Sequence, residues 1–200
     1  KRRSGFLQPQ FNNSRILGSS IYIPYFRTFG DNQDYTFKPT LFEDKVILQN
    51  EFRKVTKDSS LITDFSLTKG YKSSVNNKKK NINHLFLKYG HNLNLPGYLS
   101  SELDAKIERV NNDTYLKVFQ NNLFKSPVMP TNRDVMVSEL NLDFDHNNYN
   151  LTTGIQVIEN LGIAHSDRYQ YVLPSYDFSR SLNFENLNGS LNFFSSGSNR

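Results

Sequence analysis

Strict alternation of apolar and polar residues is the feature that most constrains the fold of this chain. In "SELNLDFDH", the apolar residues Leu140, Leu142 and Phe144 alternate with Glu139, Asn141, Asp143 and Asp145. Similar alternation runs through residues 60–70, 98–110 and 149–160. Successive side chains of a strand point to opposite faces of its sheet, whereas a helix repeats about every 3.6 residues. The pattern therefore predicts an all-β protein whose strands have one apolar and one polar face.

The alternation predicts eleven strands, several of them longer than the usual ~5–6 residues. They are residues 5–11, 17–26, 34–42, 45–56, 60–70, 83–92, 98–110, 134–146, 149–160, 169–184 and 189–197. The longest approach the ~9–11 residues that a strand needs to cross a bilayer obliquely. The chain has 16 Phe and 11 Tyr but a mean hydropathy of only −0.61. That combination suits a sheet with one solvated side, or an outer-membrane barrel with a polar lumen.

The connections between the predicted strands alternate in length from residue 57 onward. The long, polar connections are 71–82, 111–133 and 161–168, and the tight ones are 57–59, 93–97, 147–148 and 185–189. Outer-membrane barrels have short turns on one side of the membrane and longer loops on the other. The pattern thus predicts an antiparallel up-and-down transmembrane β-barrel. Residues 113–119 are compatible with a further strand, but a strand there would break the alternation, so we place them in the long loop.

Motifs that carry chemistry are scarce. The sequence has no cysteine, which excludes disulfides and cysteine-ligated metals within it, and its four histidines have no metal-ligand spacing. It has no glycine-rich phosphate loop and no serine-hydrolase motif. The net charge of +5 permits an anionic partner, but no nucleic-acid-binding motif accompanies it. We expect no enzymatic activity, cofactor, metal or nucleic-acid partner, and we expect the basic run "VNNKKKNIN" at 75–83 to be a solvated loop.

Two prolines stand within the first two predicted strands, in "GFLQPQF" and "GSSIYIPYF". Pro9 and Pro24 lack the backbone N–H that a strand residue donates to its neighbour. Such residues are normally found in edge strands or at poorly paired positions. Composition alone favours a simpler interpretation, in which both prolines are ordinary interruptions of edge strands.

The surrounding motifs suggest a more specific role. "RRSGFLQPQF" resembles the Arg-x-Ser-Gly-Phe-Leu-x-Pro-x-Phe stretch that opens the barrel of the outer-membrane lipopolysaccharide-assembly protein family (LptD, also called organic solvent tolerance protein). "IPYFRTFGDNQDYTFKP" is similar to the family's Pro-Tyr-aromatic and Asn-x-Asp-x-Thr-x-x-Pro pattern, "LQNEFR" to its Leu-x-x-Glu-Phe-Arg, and "YVLPSYDFS" to its Val-Leu-Pro-x-x-x-Tyr/Phe-Ser. The resemblance is dense over residues 2–53 and thin onward to about residue 180, with departures at Asn12 and around Lys45 and Val46.

The resemblance implies that residues 1–200 are the first strands of a larger barrel in the cell outer membrane, without its periplasmic jelly-roll and remaining strands. In that family the first strand closes the barrel against the last, and prolines weaken this seam. Pro9 and Pro24 match those positions, which implies a lateral gate. The implied function is translocation of lipopolysaccharide through the lumen and its insertion into the outer leaflet. The implied partners are lipopolysaccharide, an LptE-type plug lipoprotein in the lumen and an LptA-type periplasmic bridge protein, which the jelly-roll would contact.

Six polar residues on the alternating strands are expected to face such a lumen: Glu102, Asp104, Lys106, Glu139, Asn141 and Asp143. Two alternatives remain at this point. A generic outer-membrane porin or adhesin shares the barrel pattern, although a porin is expected to have an inward constriction loop with clustered charges and no proline in its first strand. A soluble β-sheet binding module is the other alternative.

Overall fold

The structure, a computed structural model, describes residues 2–72, 80–163, 166–184 and 189–200. In these residues the chain forms one antiparallel sheet of 13 strands and one short helix. The strands are β1 (Gly5–Phe6), β2 (Gln10–Ser14), β3 (Gly18–Tyr22), β4 (Tyr25–Thr28), β5 (Gln33–Phe42), β6 (Val46–Val55), β7 (Ser59–Tyr71), β8 (Lys80–Asn92), β9 (Ser100–Val110), β10 (Val135–His146), β11 (Tyr149–Asn160), β12 (Tyr169–Phe184) and β13 (Gly189–Ser198), and the helix α1 is Tyr115–Phe119. No helix in the described ranges is both long and apolar enough to cross a membrane.

The sheet has an up-and-down topology. From β5 to β13 each strand pairs with the next strand along the chain. The first hairpin, residues 5–28, joins β5 through β3 and β4, and its outer strand consists of β1 and β2. Within the part of the chain described, β1 and β2 therefore form one edge of the sheet, and β13 forms the other.

Strands lie in all eleven predicted ranges, which confirms the all-β, antiparallel prediction. The prediction of continuous strands over 5–11 and 17–26 is wrong, because the first strand is interrupted at residues 7–9 and the second at 23–24. Pro9 and Pro24 lie in these interruptions. Proline cannot donate to a ladder, so a strand that contains one loses regular pairing at that point.

The sheet has two different faces, as the alternation predicts. Opposed residues of antiparallel strands project to the same face. One face, the apolar face, carries opposed pairs such as Leu48–Leu67, Phe65–Leu85, Leu87–Ile107 and Leu140–Ile155. The other, the polar face, carries pairs such as Gln49–Ser66, Ser66–His84, Lys88–Lys106 and Asn141–Asp104.

The connections follow the predicted alternation in part. The turn at 147–148 is tight and the connection at 111–134 is long, but 72–79 and 93–99 differ little in length. Most of the basic run at 75–83 lies outside the described residues, which resume at Lys80 in β8. Residues 113–119 do not form a strand, since Tyr115–Phe119 is the helix α1.

The long connection, which we call the 111–134 segment, packs on the polar face of the sheet and forms the core there. Tyr115, Leu116 and Phe119 of the segment are fully buried. They cluster with apolar side chains that β6 and β8 carry on the polar face, among them Ile47 and Phe86. Burial of large apolar side chains of this kind contributes roughly 1.5–3 kcal/mol each, so the segment is a packed element of the fold.

Candidate functional site

The six sequence-predicted lumen residues lie side by side on the polar face. In the ladder of β9 and β10, Lys106 is opposed to Glu139, Asp104 to Asn141 and Glu102 to Asp143. Their side chains form a charged row with neighbours on the same and adjoining strands. Lys106 pairs with Glu108 of β9 at 2.8 Å, and from β11 Gln156 donates to Glu139 at 3.2 Å and Thr152 donates to Asp143 at 2.6 Å. The alternation therefore correctly predicted that all six residues lie on one face of the sheet.

This row borders a cavity of about 530 Å³ between the sheet and the 111–134 segment. Lys88, Lys106, Asp104 and Glu139 line its sheet side, while Val128 and Met129 line the side that belongs to the segment. The cavity thus combines hydrogen-bonding groups of both charges with an apolar surface. Such a wall can contact hydrated, polar molecules without selecting strongly for one sign of charge.

A buried polar network attaches the segment to the sheet. The hydroxyl of Tyr115 lies 2.8 Å from Nδ1 of His84 and also contacts the hydroxyl of Ser66. Nε2 of His84 lies 3.0 Å from Oδ1 of Asp64. In a neutral imidazole Nε2 donates to the carboxylate, so Nδ1 accepts a hydrogen bond from a hydroxyl. Desolvation by burial raises the pKa of Tyr115, so its phenol stays protonated and remains available as a donor.

Asp64, His84 and Ser66 also have the order of a catalytic acid–base–nucleophile triad, with Ser66 Oγ 3.0 Å from His84 Nδ1. All three side chains are buried, and the hydroxyl of Tyr115 shares the same histidine nitrogen. A substrate therefore has no access to Ser66 while α1 is in place. The geometry identifies the network as the attachment of the segment.

A second attachment involves Phe124. Gln49 donates to the Phe124 carbonyl at 2.9 Å and accepts from the Phe124 N–H at 2.8 Å. The Phe124 ring stacks on Tyr22 of β3 and lies 4.3 Å from Nζ of Lys38, which forms a buried ion pair of 2.9 Å with Glu51. The 111–134 segment is thus in contact with the first hairpin as well as with the middle of the sheet.

Pro24 leaves the ladder of the first hairpin incomplete. The N–H of Leu7 donates to the carbonyl of Pro24 at 2.9 Å. Opposed residues of an antiparallel pair exchange either two hydrogen bonds or none, so the second bond of this pair would run from residue 24 to Leu7. Proline has no N–H, and that bond is impossible. The loss removes a net ~0.5–1.5 kcal/mol from the pairing.

Pro9 lies where the register of the same hairpin changes. On one side of it Phe6 is opposed to Tyr25, and on the other side Gln10 is opposed to Tyr22. The outer strand therefore has one more residue than its partner between these two pairs, as in a β-bulge. Pro9 itself is exposed. Both sequence-predicted gate residues thus lie at a break that crosses both strands of the hairpin.

Aromatic side chains gather on the apolar face near the tight turn at 147–148. The hydroxyls of Tyr98 and Tyr149 are 2.8 Å apart, and Tyr149 stacks on His146 and Phe178. Phe178 in turn contacts Phe193 of β13 edge to face. Tyrosine and other amphipathic rings of this kind are enriched where membrane proteins meet the lipid headgroups.

Comparison with protein-family models gives no match to this sequence, and comparison with curated proteins gives no match either. The similarity to the LptD family therefore depends on the motifs in the chain itself and stays a prediction. Among the described residues, no group of three or more histidine or acidic side chains is placed to hold a metal ion.

The His84 network and the attachment of Phe124 were not predicted from the sequence. A signal for a covering element was nevertheless present in the alternation, because Ile47, Ile82 and Phe86 are apolar residues at positions of the polar face. Large apolar side chains on a face expected to be wet indicate that another element covers them.

Proposed function

We propose that this chain is the first part of an outer-membrane barrel that moves lipopolysaccharide to the outer leaflet and releases it sideways through the first hairpin. The observation that carries the proposal is the hydrogen-bond break at Leu7 and Pro24, in an edge hairpin whose motifs resemble those of LptD. Translocation needs no reaction on a covalent bond, so the protein acts as a channel and not as an enzyme.

The two faces of the sheet suit the wall of a transmembrane β-barrel. The strands from β5 to β13 have 10 to 16 residues, enough for the ~9–11 that a tilted transmembrane strand requires. Large apolar side chains are exposed on the apolar face, among them Phe65, Leu85, Leu140 and Ile155. A bilayer would cover them, while the polar face would line the lumen. If further strands close the sheet into a cylinder, the backbone N–H and C=O groups at both of its edges gain hydrogen-bond partners.

The gate follows from the energetics of the first hairpin. Each missing ladder bond forfeits a net ~0.5–1.5 kcal/mol, and edge pairing at β1 consists of only the pairs Gly5–Phe26 and Phe6–Tyr25. The two strands of a hairpin weakened in this way separate from each other at modest cost. The sugars of lipopolysaccharide would then stay on the polar side while the acyl chains pass between strands.

The position of the 111–134 segment is the observation that favours the alternative, a porin-type barrel, because a porin is expected to have an inward constriction loop. However, the residues that this segment brings to the polar face are largely apolar, namely Tyr115, Leu116, Phe119 and Leu123. The ion pairs Lys117–Asp134 and Asp113–Arg168 involve half-exposed aspartates near its two ends. A packed apolar segment does not form the charged ring that a porin uses to select ions.

A photo-crosslinking amino acid at Asn141 tests the proposed function in cells that depend on this protein. Asn141 lies on the polar face beside the cavity, where passing sugars would contact it. We expect an adduct with newly made lipopolysaccharide at this position. A porin would give no such adduct. If a variant that still supports growth forms no adduct with lipopolysaccharide, the proposal is contradicted.

A further inference from the structure

Phe194 of β13 places a large apolar ring on the polar face of the sheet. It is opposed to Ser179 of β12, which is in turn opposed to Asn150 of β11. Asn150 is opposed to Asp145, which alternates with Asp143 on the polar face of β10. Opposed side chains share a face, so all of these residues project to the same side of the sheet. The ring of Phe194 is 74% exposed there.

This ring differs from the apolar residues of the polar face that the 111–134 segment covers. Those residues, such as Ile47 and Phe86, are fully buried in one apolar cluster. The polar-face neighbours of Phe194 are instead all hydrophilic: Asn192 and Ser196 on its own strand, Asp177, Ser179 and Ser181 on β12, and Asn150 and Thr152 on β11. An apolar segment placed here would desolvate these groups and would have a single ring to pack against. The surroundings therefore favour a ligand that is polar at its edge and apolar on one surface.

A strand added at the edge of the sheet would leave the ring open. Such a strand pairs with the backbone of β13 in the plane of the sheet, whereas the side chain of Phe194 stands roughly perpendicular to that plane. The ring lines an open cavity of about 390 Å³ together with Asn150, Thr152 and Asp177. Small-molecule sites typically have volumes of about 300–1,000 Å³. The cavity is therefore large enough to hold a small ring compound against Phe194.

The charge around the cavity selects against anionic ligands. The polar face of β10 and β12 carries carboxylates, and no lysine or arginine occupies a polar-face position of β10–β13 in the ranges that the structure describes. The carboxylates are Glu139, Asp143, Asp145 and Asp177. Negative charges of this kind repel a phosphate group. They accept strong, charge-assisted hydrogen bonds from hydroxyl groups, and Asp177 is exposed and able to do so.

We propose that Phe194 and Asp177 form a subsite for neutral saccharide rings. The apolar C–H surface of the sugar ring packs on the face of Phe194, whose π electrons attract C–H groups. The hydroxyls at the edge of the sugar donate to Asp177 and form hydrogen bonds with Thr152 and Asn150. This inference rests on the proposed function only for the source of the saccharide, which is the neutral polysaccharide of lipopolysaccharide. The phosphorylated sugars of the lipid anchor do not bind at this subsite.

Saturation-transfer NMR on the full-length protein in detergent micelles tests the subsite. Two probes are prepared from lipopolysaccharide: its neutral polysaccharide freed of the anchor, and the deacylated, phosphorylated sugars of the anchor. The matched variants are Phe194→Leu and Phe193→Leu, which replace neighbouring rings on the polar and the apolar face. Leucine keeps both positions apolar, so that both variants fold.

We expect saturation transfer to the C–H protons of the neutral polysaccharide. Its affinity should fall roughly fivefold in Phe194→Leu and stay unchanged in Phe193→Leu, because only Phe194 contacts the sugar. The phosphorylated sugars should give little transfer with the unmodified protein and more with Asp177→Asn, which removes a repelling charge.

Equal affinity of Phe194→Leu and Phe193→Leu for the neutral polysaccharide would overturn the subsite. A preference of the unmodified protein for the phosphorylated sugars would overturn it too. Both results leave the export of lipopolysaccharide untouched, since the photo-crosslink at Asn141 tests export separately. If the neutral polysaccharide binds at Phe194 but no adduct forms at Asn141, the subsite stands and the proposed function fails.

Discussion

The Tyr115 hydroxyl lies 2.8 Å from Nδ1 of His84, and this contact attaches α1 to the polar face of a sheet strand that is distant in sequence. Removing the hydroxyl with Tyr115→Phe leaves the buried hydroxyl and imidazole partners short of one hydrogen bond. We expect a loss of about 1–3 kcal/mol in the attachment of the 111–134 segment, because buried polar groups that lose a partner are costly. Trypsin digestion of the folded protein measures this, since Lys117 and Lys125 become more accessible when the segment detaches.

Tyr98→Phe is the matched control for this variant. It also removes a tyrosine hydroxyl that is hydrogen-bonded to another residue, Tyr149, but at a part-buried position on the apolar face. We expect its cleavage pattern to equal that of the unmodified protein. Equal rates of cleavage in Tyr115→Phe and Tyr98→Phe would show that the hydroxyl of Tyr115 does not hold the segment.

The ionisation of Tyr115 gives a second prediction. Burial raises the pKa of Tyr115 above the value of about 10 that an unfolded tyrosine has. The contribution of this group to stability is therefore fully present below pH ~10 and is lost as the pH rises toward the folded-state pKa. Tyrosinate absorbance, measured as the difference between the unmodified protein and Tyr115→Phe, should show no ionisation of Tyr115 near pH 10. Ionisation there, with the segment still protected from protease, would contradict the buried geometry.

The alternation predicted the strands because burial with a period of two is a local property of the sequence. It could not predict the break in the first hairpin fully, because the bond missing at Leu7 depends on Pro24 in the neighbouring strand. The position of the 111–134 segment was also missed, since its contacts, such as Gln49 with Phe124, join residues that are 75 positions apart. Interactions at that separation depend on the sheet being formed first.

Opposite faces of β10 provide a test of membrane insertion. Leu140, 38% exposed on the apolar face, is adjacent to Asn141 on the polar face. If a bilayer covers the apolar face, Leu140→Arg should cost about 2–4 kcal/mol at mid-depth. Asn141→Arg faces the lumen and should cost much less. Urea unfolding in lipid vesicles gives both values.

A soluble β-sheet module makes the opposite prediction for this pair of variants. An exposed Leu replaced by Arg on a solvated surface usually changes stability by no more than about 0.5 kcal/mol. Equal and small effects of Leu140→Arg and Asn141→Arg would therefore favour the soluble alternative.

The most direct test of the lateral gate is the rate of lipopolysaccharide delivery in the double variant Pro9→Val and Pro24→Val. The matched control, Leu7→Val and Ile23→Val, changes apolar neighbours of the prolines and adds no backbone donor. The bond regained between residue 24 and Leu7 would strengthen the hairpin by about 0.5–1.5 kcal/mol, which lowers the open population roughly 2- to 12-fold. With both barrels folded, we expect slow delivery in the proline variant and unchanged delivery in the control. Equal delivery in the two variants would contradict the lateral gate.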